Sequence, residues 1–229
     1  MTIRRFAAAA AAVALALGAG ASFQAQAEQA PRRAPPPAAA TPEAPGLHKA
    51  VFSGGCFWGV QGVFSHVRGV TRAVSGYAGG QAATAHYEVV STGLTGHAES
   101  VEVTYDPRQV TYAQLLQIFF SVALDATEVD RQGPDHGSQY RSMIWANDRT
   151  QSQMADAYIR QLEAGHLFPR RIATRVARLS AFYPAEGYHQ NFMARRPEYP
   201  YITVWDAPKV AALKSLFPAV YTAKPTISG

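Results

Sequence analysis

Cysteine occurs once in the 229 residues, at Cys56, within Gly54-Gly55-Cys56-Phe57-Trp58-Gly59. Two glycines let the backbone turn sharply out of the apolar strand Ala50-Val51-Phe52. Val60, Val63, Phe64 and Val67 follow at helical spacing, so the sulfur is expected at a helix N-terminus. The unpaired N–H groups at such an end favour negative charge, which lowers a thiol pKa and raises the nucleophilic thiolate fraction. Position alone also suits a small buried core residue. Phe57 and Trp58 are adjacent and lie about 100° apart around a helix, so they cannot both point into the core. One of them is expected to line a pocket beside the sulfur.

A second group with chemistry in it is Glu99. In Glu99-Ser100-Val101-Glu102-Val103-Thr104-Tyr105 the side chains alternate, and Glu99 falls on the face of Val101, Val103 and Tyr105. Burial there disfavours the ionised carboxylate and raises its pKa, which suits a general acid near neutral pH. A frayed strand end in solvent is the other reading. Tyr87, Asp135 and Tyr140 are polar residues beside loops or strand ends, equally able to serve a site or a surface.

The elements that must hold these groups follow from patterning. Thr111 and Gln114 form a capping box for an apolar helix Tyr112–Val122. A Gly/Asp/His-rich loop, 125–139, precedes a strand Tyr140–Trp145, and Asp148 caps a helix over about 149–164. Ile172–Ser180 reads as a strand, and Pro184 as the start of a helix ending near Arg195, before Pro197. Strands and helices mix without regular βαβ repetition, which indicates an α+β, mixed-sheet sandwich.

The chain ends read differently. Residues 1–27 carry Arg4 and Arg5, an apolar run Phe6–Leu17 and a terminal Ala25-Gln26-Ala27, the three-part pattern of an export signal cleaved after Ala27. Residues 28–46 hold six of the fifteen prolines and no large apolar side chain, so they are expected to form a partly extended tether. The folded domain is expected over 47–218, with all three Trp, and 219–229 as a tail. Without residues 1–27 the chain keeps 19 basic and 16 acidic side chains, a balance that does not suggest nucleic acid. No His/Cys/Asp spacing matches a metal site. One cysteine forbids an intramolecular disulfide, which is unusual for an exported protein and asks for the thiol to be buried or useful.

Several strings together resemble the peptide methionine sulfoxide reductase A family, which acts on the S epimer. They are Gly55-Cys56-Phe57-Trp58-Gly59, Gly76-Tyr77-Ala78-Gly79-Gly80, Thr95-Gly96-His97-Ala98-Glu99, Arg131-Gln132-Gly133-Pro134-Asp135, Gln139-Tyr140-Arg141-Ser142 and Phe182-Tyr183-Pro184-Ala185-Glu186-Gly187-Tyr188-His189-Gln190. The resemblance covers about residues 47–218. It implies a two-layer sandwich with flanking helices, and Cys56 as the nucleophile that becomes a sulfenic acid. It implies that Glu99 protonates the sulfoxide oxygen, that Tyr87 and Tyr140 hold that oxygen, and that Asp135 orders the polar network. Phe57 and Trp58, with Gly55 beside them, would take the substrate methyl group, and Glu186, Tyr188 and His189 would support the site from a late helix. No bound cofactor or metal is implied, and a monomer is expected.

Many relatives carry resolving cysteines near the C-terminus. Here the comparable stretch is Glu198-Tyr199-Pro200-Tyr201, and Val204–Gly229 has none. The resemblance then implies a single-cysteine enzyme reduced by a thioredoxin-like or glutaredoxin-like protein or a small thiol. Its substrates would be oxidised proteins or peptides, with free methionine sulfoxide left open, in the periplasm or outside the cell. Two rivals remain at this level. A cysteine hydrolase would pair Cys56 with His97, His136 or His189, and a noncatalytic binding domain would leave Cys56 inert.

Overall fold

The computed structural model describes residues 32–228; the export signal expected over 1–27 lies outside the described residues. In chain order the elements are β1 (His48–Ser53), α1 (Phe57–Ser65), β2 (Val70–Ala78), α2 (Tyr87–Val90), β3 (Ala98–Tyr105), α3 (Tyr112–Ile118), β4 (Arg131–Gln132), β5 (Asp135–His136), β6 (Met143–Ala146), α4 (Arg149–Ala164), β7 (Arg175–Arg178), β8 (Phe182–Pro184), α5 (Phe192–Arg195) and α6 (Ala207–Leu216). Six strands form one sheet in the order β7-β6-β1-β3-β2-β8, antiparallel except for the β6/β7 pair, while β4 and β5 make a small separate ribbon. The mixed sheet and its helices are the α+β sandwich expected.

Register sets the two faces. Phe52 pairs with Val101, Ala50 and Ala73 both pair with Val103, and Tyr77 pairs with Glu99. This face meets α1 and α3, and with Phe57, Phe64, Leu115, Leu116 and Phe119 it makes the main core. The opposite face buries a smaller cluster of Val51, Ala78, Ala98, Met143 and Trp145, where the Trp145 indole N–H donates to Ser53 Oγ at 2.8 Å.

Five expectations change in the folded chain. Pro184 does not begin a helix, because Phe182, Tyr183 and Pro184 pair with Ala78, Tyr77 and Gly76 at a sheet edge, where a residue without N–H is tolerated. The following residues turn, and only Phe192–Arg195 are helical. The strand expected over Ile172–Ser180 is limited to Arg175–Arg178, and Tyr140 sits in a tight turn, Ser138–Tyr140, before β6. Within the expected loop 125–139, the β4/β5 ribbon presents Asp135. The capping box at Thr111 is formed in full, but α3 widens into a π-helical turn over Phe119–Ala123.

Residues 32–46, expected as a tether, are laid along the domain as a strap. Buried Ala34 donates its N–H to Ser121 Oγ at 2.9 Å, and its carbonyl accepts from Gln117 Nε2 at 2.7 Å. The Tyr158 hydroxyl donates to the Pro35 carbonyl at 2.6 Å. Glu43 accepts from the Tyr105 hydroxyl and from the Tyr112 N–H at the start of α3. Prolines supply carbonyls and an extended backbone without donors of their own, so a proline-rich strap leaves few N–H groups to satisfy. The C-terminal tail is likewise pinned, since Thr222 and Thr226 donate their N–H groups to the carbonyls of His66 and Ser65 at the end of α1.

Candidate active site

Cys56 is the N-cap residue of α1, as its surroundings in sequence suggest, and it is 8% exposed. Gly55 before it has φ +88°, and a Cβ there would lie 2.5 Å from Gln132 Cβ, so both the backbone turn and the β4 side chain require glycine. Gln132 is locked by donating to the Asp125 carbonyl at 2.7 Å and accepting from the Asp125 N–H at 2.9 Å. The ribbon thus closes over the strand-to-helix turn that carries the sulfur.

Glu99 lies at the start of β3 with its side chain on the core face, 3% exposed. Its Oε2 accepts the Phe57 N–H at 3.0 Å, one of the donors left free at the start of α1. Burial pushes its carboxyl up to about 8, with Asp135 and Asp206 adding to the rise and the Phe57 N–H opposing it. Glu99 is therefore largely protonated at neutral pH and still touches the helix end that carries Cys56.

The thiol itself departs from expectation. Burial, then the charges of Glu99 and Asp206, hold Cys56 well above the ordinary thiol range, against an opposing hydrogen bond from the Trp58 N–H. Desolvation outweighs the helix terminus here, because the N-terminal effect is about 1 kcal/mol while removing a charge from water costs several. The resting sulfur is a neutral thiol.

Three phenols and a carboxyl converge on the same place. Tyr87 is the first residue of α2, and its N–H is held at 2.9 Å by Glu186 Oε1, while Glu186 Oε2 accepts from the Tyr77 hydroxyl at 2.9 Å. Tyr140 is positioned by Arg141, which donates to the carbonyls of Ser138, Gly96 and His97 at 2.7–3.0 Å and so ties the Tyr140 turn to the turn leading into Glu99. Both phenols are raised, first by burial and next by the Glu99 charge, and so stay protonated donors. Asp135 accepts from the Tyr201 hydroxyl, and burial raises its carboxyl.

Phe57 and Trp58 divide the roles expected of them. Phe57 is 1% exposed and packs behind the site against Tyr77 and His189. Trp58 keeps part of its surface open, stacks on Phe192 at 3.8 Å, and meets the edges of Tyr199 and Tyr201. Its indole N–H donates to His189 Nδ1 at 3.2 Å, so His189 supports the site through Trp58. His97 is engaged by Gly80 N–H and the Gln81 carbonyl. Neither histidine forms a hydrogen bond with Cys56.

Sequence reasoning did not pick out Tyr201, Asp206 or Lys209, which arrive with the C-terminal segment. Among the described residues, no three His, Cys, Asp or Glu side chains gather as metal ligands would.

The family description "Peptide methionine sulfoxide reductase" matches residues 48–219, and a reductase named MsrA 2 from Mesorhizobium japonicum is 59% identical over 184 residues, covering 80% of this chain and 94% of that one. The chain belongs to the MsrA family of peptide methionine sulfoxide reductases. An MsrA 2 of Synechocystis is 54% identical over 75% of this chain and 80% of its own. The MsrA structure from Corynebacterium diphtheriae has a TM-score of 0.60 at 34% identity over 69% of this chain and 80% of that one. Reduced Mxr1 from Saccharomyces cerevisiae has a TM-score of 0.63 at 28% identity over 67% and 87%. As a member of this family the protein is a peptide-methionine (S)-S-oxide reductase.

Proposed function

We propose that this reductase works through a single-cysteine cycle centred on Cys56. The observation that carries it is the buried, protonated Glu99 held at the first turn of the helix that Cys56 caps. In the first half-reaction the Cys56 sulfur attacks the sulfoxide, and oxygen passes to Cys56. A Cys56 S–O bond forms as the substrate S–O bond breaks, the cysteine is oxidised, and the substrate is reduced to methionine. A sulfoxide oxygen leaves poorly until it gains a proton, which Glu99 supplies. The thiol proton restores Glu99, so no net proton is taken up.

Tyr87 and Tyr140 donate hydroxyl hydrogen bonds to the oxygen, Asp135 orders the polar side of the site with Tyr201, and Trp58 offers the apolar wall for the methyl group. A second thiol then attacks the sulfenic acid, releasing water and leaving a mixed disulfide that a further thiol resolves. Because no other cysteine is present, that thiol comes from outside, from a thioredoxin-like or glutaredoxin-like protein or a small thiol. Oxidised proteins and peptides are the substrates this reading favours.

With one equivalent of a methionine-(S)-sulfoxide peptide and no reductant, methionine should form stoichiometrically and the protein mass should rise by one oxygen. The R epimer should give neither. An unmodified thiol after methionine release would show that oxygen never passed through Cys56.

Export belongs to the same reading, supported by Arg4, Arg5, the apolar run Phe6–Leu17 and Ala25-Gln26-Ala27. In this reading the enzyme repairs proteins in the periplasm or outside the cell. The chain recovered from the cell envelope should begin at Glu28, and an intact N-terminus on cytosolic protein would overturn the assignment.

A further inference from the structure

His189 is 2% exposed and lies in the turn between β8 and α5, where its backbone N–H donates to the Glu186 carbonyl at 2.9 Å. Aromatic rings meet it from three parts of the chain. Phe57 and Trp58 approach from α1 with ring centroids at 4.9 and 5.8 Å, Tyr87 from α2 at 4.5 Å, and Tyr188 from its own turn at 4.2 Å. The imidazole therefore packs against both Trp58, the apolar wall for the substrate methyl group, and Tyr87, a donor to the sulfoxide oxygen.

The hydrogen-bond pattern fixes the state of this ring. An indole N–H can only donate, so His189 Nδ1, which receives the Trp58 N–H at 3.2 Å, carries a lone pair. The one proton of the neutral ring is then on Nε2, which is buried without a hydrogen-bond partner. Glu186 Oε2 stands 3.9 Å from it and already accepts from the Tyr77 hydroxyl. A second proton can enter only on Nδ1. It would set an N–H against the Trp58 N–H across the same contact, and two donors do not bond. The charged groups facing the ring are Glu186 in its own turn and Glu88 on α2, and both favour the cation. Phe57 and Trp58 of α1 do not titrate, the phenols of Tyr77, Tyr87 and Tyr188 are raised and stay neutral, and Arg195 of α5 is engaged by the Tyr188 carbonyl. Burial outweighs the two carboxylates and lowers the ring below the ordinary histidine value, which agrees with the neutral form that the Trp58 contact demands.

We propose that His189 is a positioning residue whose neutral ring, with its proton on Nε2, holds the Trp58 indole as the substrate wall, and that a second proton on Nδ1 releases the wall. The proposal rests on the reading of Trp58 as the surface that takes the methyl group. Its consequence is selective. Acid should weaken the grip on the sulfoxide, while Cys56 and Glu99 keep the protons with which they react. The burial of an imidazole with an unpaired Nε2 then has a purpose, because a residue that must accept at Nδ1 and yet titrate can only be histidine.

The experiment has two readouts on the full-length protein between about pH 4.5 and pH 7.5, the range in which an imidazole changes charge. The first is the nitrogen-15 resonance of the Trp58 indole N–H, identified by its loss in Trp58→Phe. It should move in a single-proton step in the wild type and lack that step in His189→Asn, whose Oδ1 replaces Nδ1 as acceptor without titrating. The second is single turnover of a methionine-(S)-sulfoxide peptide. In the wild type the half-saturating concentration should rise about tenfold from pH 7.5 to the acid end, the loss of one hydrogen bond, while the maximal rate stays within about threefold. His189→Phe, with a ring but no acceptor, should show the weakened binding at every pH, and His189→Asn should recover tight binding and hold it in acid. A merely structural histidine would make both variants weak and leave their pH profiles parallel to that of the wild type. That pattern, or an indole resonance in the wild type that does not move with pH, overturns the proposal, and the wild-type resonance carries this test even if neither variant folds. An indole step that vanishes in His189→Asn, joined to a constant half-saturating concentration in the wild type, overturns instead the reading of Trp58 as the substrate wall.

Discussion

Cys56→Ser should lose all measurable methionine sulfoxide reduction, a fall of about 10³-fold or more, as expected when a covalent nucleophile is removed. Serine fits the N-cap position of α1 and is a preferred residue there, so the fold should be retained. The variant should unfold within about 1 kcal/mol of wild type. An alcohol cannot reduce a sulfoxide by oxygen transfer, so no amount of external thiol should rescue turnover. Steady-state assay with dithiothreitol, alongside thermal unfolding, checks both halves. Turnover above a few per cent of wild type in a folded protein would remove Cys56 from the mechanism.

Glu99→Gln should slow the first half-reaction by about 10²–10⁴-fold, the range for loss of a general acid. The amide oxygen that replaces the carboxylate can still accept the Phe57 N–H, so the loss reports the proton rather than the hydrogen bond. The pH profile separates the two further. Below the Glu99 pKa the thiol and the carboxyl are both protonated, as the transfer step with its restored acid requires, so the single-turnover rate should be flat there. It should fall as pH rises through about 8, where Glu99 ionises. Glu99→Gln should lack that break. A wild-type rate that climbs steadily from pH 7 to 9 would mean that thiolate formation, and not proton delivery, limits the step.

The parts of the site written in local pattern were legible in the sequence. Two glycines followed by helical spacing put Cys56 on an N-cap, and strict alternation put Glu99 on the buried face of β3. The charge state of the sulfur was not legible, because a helix terminus shows in spacing while desolvation depends on what covers it. The cover comes from residues far along the chain: Gln132 in a two-residue strand, and Asp206 in a segment whose Asp-Ala-Pro order reads simply as a helix start. Pro184 misled for a related reason. Proline suits both a helix first turn and a sheet edge, and only the pairing with Gly76 decides between them.

The strap carries a consequence for the order of assembly. Ala34 and Pro35 are among the first described residues to leave the ribosome, yet their partners Ser121 and Tyr158 lie 87 and 123 positions later. Glu43 likewise waits for Tyr105 and Tyr112. Contacts of such separation form late, after shorter loops have closed. Until Tyr158 has been made and α4 has docked, the proline-rich stretch remains an open chain. Its closure then marks a polypeptide synthesised through most of its length, so the segment made early serves as the clasp fastened late.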